Sequence, residues 1–175
     1  MSSKIYLIDS NTLITANRSY YSFGLCPGFW EALNNGHSES RIKSLDTVKD
    51  EINKGKYDDK LKGWVKSMPD SFFCSTKEDK IIEQFGIVAN WVNKQEQFYD
   101  YAKSEFMRDK VDGWLVAYAM AKLGNDNIVI VTHEKYEQNV KKNVKIPNLC
   151  KEFGVEYDDT FKMLNDLGVR FILEK

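Results

Sequence analysis

Cysteine is scarce in this 175-residue chain: Cys26, Cys74 and Cys150 are odd in number, far apart and without a CxxC spacing. That excludes a disulfide framework or a cysteine zinc site, and suits reduced, buried thiols in a cytoplasmic protein. No glycine-rich loop follows the first apolar run, which argues against phosphate cradles of the Rossmann or P-loop type. No Pro/Gly linker, repeat or low-complexity segment divides the chain, so one domain over 1–175 is expected. Nowhere do eighteen apolar residues run together, so no membrane span is expected. The first residues read directly as a strand, not as a charged region leading into an apolar core. An excess of one charge is missing too. Lys and Arg number 25 against 26 Asp and Glu, a net charge of -1. No global basic field advertises nucleic-acid binding, which leaves only a local patch for it.

What is present is an alternation of strand and helix signals. "KIYLI" (4–8) reads as a buried strand and Asn11 to Ala16 as a short helix. Pro27 suits a helix start and Asn35-Gly36 its end. A strand near Ile42 leads to a helix from about Leu45, then a helix from Leu61 to Met68 and a strand over Ser71–Cys74. Residues 78 to 106 carry helical periodicity, with Gly86 as the candidate break. "KVDGWLVAYAMAKLG" is the strongest helix and "NIVIVT" the clearest interior strand. Helices begun by Pro147 and at Thr160 follow, and "VRFIL" reads as a last strand. This order predicts an α/β fold, a parallel sheet of about five strands with helices on both faces.

Acidic residues recur where that sheet would end. Asp9 closes the first strand, where an ionised carboxylate is costly unless paired or solvated. Two roles are open to it: with Ser10 and Asn11 it can cap the next helix, or it can mark a ligand site at the carboxyl edge of the sheet. In the helix from about Leu45, Glu51 lies about 95° from the apolar face of Leu45, Val48 and Ile52, at the rim of the core, whereas Asp50 lies about 165° away, toward water. Asp112 sits on a helix apolar almost all round, on the side of Val116, Ala119 and Leu123. It is either a buried ligand or the acidic member of a capping box begun by Asp109. "NIVIVTHE" brings Thr132, His133 and Glu134 to the same edge as Asp9. His133 is not part of HExxH and reads as a loop residue. Carboxylates converging in this way raise each other's pKa. A hard divalent cation, Mg²⁺ or Mn²⁺, removes that penalty and suits phosphodiester hydrolysis.

In "YLIDSNTLI", "VKDEI", "DGWLVAYA" and "VIVTHE", taken in order, the chain resembles the PIN-domain nucleases over about Lys4 to Arg170. It looks most like their toxin-type (VapC-like) branch, found in prokaryotic toxin–antitoxin pairs. "YYSFGLCPGFWEAL" and "KIPNLCKEFGV" further suggest a prokaryotic subfamily once catalogued only as a domain of unknown function. The resemblance implies strand order 3-2-1-4-5 and a Mg²⁺- or Mn²⁺-dependent ribonuclease with an RNA substrate and a cognate antitoxin protein. Asp9, Glu51 and Asp112 match the family's three principal acids, and Ser10 or Asn11 its polar position after the first. Its fourth acid, usually Asp after a strand-ending Thr (here Thr132), falls on Glu134, a longer side chain that departs from the pattern.

Other readings stand beside it. A dehalogenase-type phosphatase needs an aspartate two residues after its nucleophile, and Asn11 stands there. A non-catalytic PIN-like module that binds RNA or protein would lose its acids, which this chain keeps. Lys135, Lys141, Lys142 and Lys145 follow the acidic edge and could contact phosphates or form a solvated face. The aromatics of residues 81–106, and Tyr20, Tyr21, Phe23, Phe29 and Trp30, could line a partner's groove or pack the core. Whether two copies of the chain pair stays open.

Overall fold

A computed structural model of the chain describes residues 3–109 and 111–173. Strand β1 (Lys4–Ile8) is central, with β2 (Ile42–Leu45) and β3 (Phe73–Cys74) on one side and β4 (Asn127–Val131) and β5 (Glu156–Asp158) on the other. The order is 3-2-1-4-5 and all four pairings are parallel. Parallel strands buried on both faces read as near-continuous apolar runs. Accordingly Tyr6, Leu7 and Ile8 of β1 and Val129, Ile130 and Val131 of β4 have no exposed surface.

Helices α1 (Ser10–Thr15), α2 (Pro27–Ser38), α3 (Asp46–Lys54), α4 (Asp59–Ser67), α5 (Asp79–Lys94), α6 (Asp100–Asp109), α7 (Val111–Lys122), α8 (Ile146–Phe153) and α9 (Thr160–Asp166) cover the sheet. A π-helical turn, Ala16–Tyr20, follows α1. Helix α7 is buried almost all round and packs most extensively on α5. Its expected first residue, Lys110, lies outside the described residues. Among those residues no helix is long and apolar enough to cross a membrane.

The structure corrects four boundaries. Asn35-Gly36 does not end α2, which runs on to Ser38. Gly36 is instead a point of close approach, where a Cβ would stand 2.5 Å from Ile42 Cδ1 of β2. The periodic stretch 78–106 divides into α5 and α6 between Lys94 and Asp100, while Gly86 lies inside α5. The third strand keeps only Phe73–Cys74, because Asp70–Phe72 form a 3-10 turn. "VRFIL" is not a strand: Ile172 and Leu173 are 84% and 97% exposed, and the fifth strand is Glu156–Asp158. An edge strand this polar offers no apolar run to read.

The aromatic segments are largely spent on the core. Ile81, Phe85, Val88, Val92, Phe98 and Phe106 are buried, as are Phe29 and Trp30. Tyr21 stacks on Phe29 and Phe23 on Trp30, with ring centroids 4.5 and 4.0 Å apart.

Gly113 of α7 meets α5 and α6 at close quarters: a Cβ there would lie 2.8 Å from both Phe85 Cε2 and Phe106 Cζ. Alanine would gain about 1 kcal/mol of helix propensity but overpack two buried rings at about 1–3 kcal/mol. Gly113→Ala should therefore lower the melting temperature by a few degrees. Scanning calorimetry checks this, and an unchanged or higher Tm would show that the rings yield freely.

Candidate functional site

The strand order reverses around β1, so the crevice beyond the carboxyl ends of β1 and β4 is where an open α/β sheet receives ligands. Backbone and short polar side chains hold those ends together. Asp9 N–H donates to Val131 O (3.3 Å), Thr12 Oγ1 donates to the same carbonyl (3.0 Å), and Ser44 Oγ donates to Ile8 O (2.8 Å).

Asp9 is completely buried and serves as N-cap of α1. Its Oδ1 accepts from Asn11 N–H (3.4 Å) and Ser10 Oγ (3.2 Å). Its Oδ2 is buried with no hydrogen-bond partner among the described residues. The capping role read from the sequence is therefore filled by one oxygen, which leaves the other over. Glu134 follows β4 through a turn in which its N–H donates to Thr132 Oγ1 (3.2 Å). Its Oε2 accepts from Ile146 N–H (2.8 Å) at the start of α8, which commits one oxygen of that longer side chain to structure.

In front of this edge lies an open cleft of about 760 Å³. Among the described residues, Asp50, Glu51, Glu105, Asp109, Asp112 and Glu134 line it, against two cations, Lys54 and Arg108. Both cations are already engaged by rim carboxylates: Lys54 with Asp50 (3.3 Å), and Arg108 with Asp109 (3.4 Å) and Glu105 (3.9 Å).

Burial first, and this charge imbalance second, set the protonation behaviour. Burial pushes Asp9 from the usual carboxylate range up to about 7, with the charges of Glu134 and Glu51 adding to it and the bonds from Asn11 and Ser10 opposing. Burial also holds Asp112 well above the ordinary value, reinforced by the charges of Asp9, Glu134, Glu51 and Asp109. Glu134 is raised by burial, against the Ile146 N–H and Lys145. The structure thus brings Asp9, Glu51, Asp112 and Glu134 into one electrostatic unit.

Among the described residues, no three His, Cys, Asp or Glu side chains stand as a ready-made metal cage. The donor set nonetheless fits a hard divalent cation. It is all oxygen, mutually repelling, and includes the unpartnered Asp9 Oδ2.

Other residues singled out in the sequence fall into place differently. Asn11 and Ser10 line the cleft. Asp109 ends α6 on an exposed rim, bonded to Arg108. Asp50 is exposed as expected, yet it also lines the rim. His133 bonds Thr160 Oγ1 and packs between Tyr20 and Phe161, away from the cleft lining. Lys135, Lys141 and Lys142 are exposed, and with Lys145, which pairs with Glu137 at 2.7 Å, none of them lines the cleft.

Sequence reading missed Thr47, Lys54, Tyr57, Arg108 and Trp114, all in the lining. The signal was there in part: Thr47, Glu51 and Lys54 share one helical face by their spacing of four and three.

The family model described as Domain of unknown function (DUF4411) matches residues 6–171 of the chain. No curated protein and no solved structure matches it.

The raised Asp9 has a consequence for stability. Its folded-state pKa of about 7 exceeds the ordinary 3.8, so the fold favours the protonated form. The stability that protonation contributes is complete below about pH 4 and is lost as pH rises through 7. Asp9→Asn should therefore stabilise the protein at pH 8, by at most about 4 kcal/mol, and little at pH 4. Mn²⁺ should raise the melting temperature of the parent protein at pH 8 and leave the variant nearly unmoved. Thermal melts in chelator and in Mn²⁺ at both pH values test this. Equal shifts at the two pH values would contradict the assignment.

Proposed function

The chain belongs to the DUF4411 family, and from its site we propose that it is a Mg²⁺- or Mn²⁺-dependent ribonuclease of the PIN type. The observation that carries this reading is the buried, unpartnered Oδ2 of Asp9 in the shared field of Glu51, Asp112 and Glu134. An apolar fold could replace that carboxylate at no cost to packing, so a ligand that takes negative oxygen is its natural counterpart. Asp9 and Asp112 would hold the cation with Glu51, and Glu134 would contribute through its free Oε1. Bound there, the cation would supply a water of lowered pKa and stabilise charge developing at phosphorus.

The chain's own residues do the rest. Ser10 and the Asn11 N–H fix the rotamer of Asp9. Thr132 orients the turn that carries Glu134. Lys54 and Arg108 sit in the same cleft, where a phosphate could displace their rim partners. The toxin resemblance adds a cytoplasmic setting and a cognate antitoxin that covers the acidic edge. The excess of carboxylates in the lining favours a basic side chain from such a partner. A phosphatase of the dehalogenase type is disfavoured because Asn11, at the helix start, provides only its backbone N–H to Asp9.

Cleavage of a labelled RNA with Mn²⁺ and with chelator tests the proposal. Asp9→Asn and Asp112→Asn should each lower the rate at least about 100-fold with no loss of Tm. Glu134→Gln should cost less, since one of its oxygens already serves α8. Wild-type rates in either aspartate variant would overturn the site, and absence of any metal-dependent cleavage by the parent would overturn the activity. For the antitoxin, expression alone should inhibit growth, and co-expression of the neighbouring gene should relieve it. Harmless expression of an active enzyme would remove the toxin role alone.

A further inference from the structure

Tyr57, in the loop between α3 and α4, is a half-buried aromatic ring in the lining of the acidic cleft. Two segments remote from one another hold it. A Cβ on Gly55 would stand 2.1 Å from its Cε2 and 2.6 Å from its Cδ2, so the ring rests directly on the Gly55 backbone. Gly55 has φ -70° and ψ 164°, a conformation open to any residue, so the ring and not the backbone requires glycine there. From the π-helical turn, Arg18 places its guanidinium carbon 5.6 Å from the ring centroid, within range of a cation–π contact.

The other aromatics of the cleft are differently employed. Trp114 stacks on Phe85 with centroids 4.0 Å apart and planes 17° from parallel, and Phe106 is buried. Tyr57 packs partly against the core and keeps the rest of its ring in the lining of the cleft that it shares with Lys54 and the carboxylates.

We infer that Tyr57 is a substrate-binding residue that stacks on a nucleobase of the RNA in the cleft, with Gly55 and Arg18 as its positioning residues. The inference rests on the ribonuclease reading. A ring fixed in advance loses little freedom when the base arrives. Stacking of this kind is tolerant of base identity but demands that a base be present.

The test uses the full chain with a fluorescent single-stranded RNA of about twelve nucleotides and the same strand carrying an abasic nucleotide at the mapped cut. Cleavage is followed in Mn²⁺, and binding by anisotropy in Mn²⁺ on a strand with a non-hydrolysable linkage at the mapped cut. Tyr57→Leu, which keeps bulk, should raise KM and Kd about tenfold with kcat nearly unchanged. Tyr57→Phe and Tyr57→Trp should behave as the parent, and Gly55→Ala should follow Tyr57→Leu. The abasic strand should lose as much as Tyr57→Leu does, and the two losses should not add. Parent-like Tyr57→Leu, a Tyr57→Phe as impaired as Tyr57→Leu, or additive losses would each overturn the stacking role while leaving the nuclease intact. A parent that neither binds nor cleaves RNA would overturn both.

Discussion

A carboxylate sealed from solvent at the end of the central strand is the constraint around which the rest of this structure is arranged. Asp9 cannot be explained by packing, because it has no exposed surface and one of its oxygens meets no donor. The fold relieves that cost only through Asn11 and Ser10, and adds further negative charge around the group. The hydrogen bonds of Thr12, Ser44 and the Asp9 backbone keep β1, β2 and β4 in the register that makes this possible. The core beneath is apolar to the last residue of β1 and of β4. Apolar burial is thus concentrated below the sheet edge and the carboxylates at it, as expected where a fold gives up local consistency for function.

The central part of this arrangement was legible in the sequence, and for identifiable reasons. β1 and β4 are unbroken apolar runs ending in polar residues, and a strand buried on both faces allows no other pattern. Asp9 and Asp112 stand out because each interrupts such a run. Glu134 stands out only because Thr132 ends the strand two residues earlier. Illegible parts were those where the chain's local pattern is not what decides. The polar β5 forms because Glu156–Asp158 can pair along β4, whereas the apolar "VRFIL" finds no partner strand. Gly36 looks like a helix end until Ile42 is seen against it. The lining contributed by Tyr57, Arg108 and Trp114 depends on α6 and the α3–α4 loop meeting across a cleft, a relation between distant segments that no spacing rule encodes.

The cleft also explains how a chain with a net charge of -1 could handle a polyanion. Among the described residues, six carboxylates against two cations in the lining disfavour long-range attraction of nucleic acid to the cleft. On the proposed function, attraction would come at short range, once a divalent cation had offset the inner carboxylates. Lys54 and Arg108 are exposed and held by exposed acids, and such pairs are worth little. A phosphate, a doubly accepting group that suits Arg in particular, could replace Asp109 or Asp50 as their partner at small cost. Recognition on this scheme is ordered by depth: the metal first at Asp9, then phosphates at the rim cations, then a base on a fixed ring. On the proposed function each step would make the next electrostatically or geometrically possible, so that a nearly neutral surface would stay indifferent to nucleic acid until its inner site was charged.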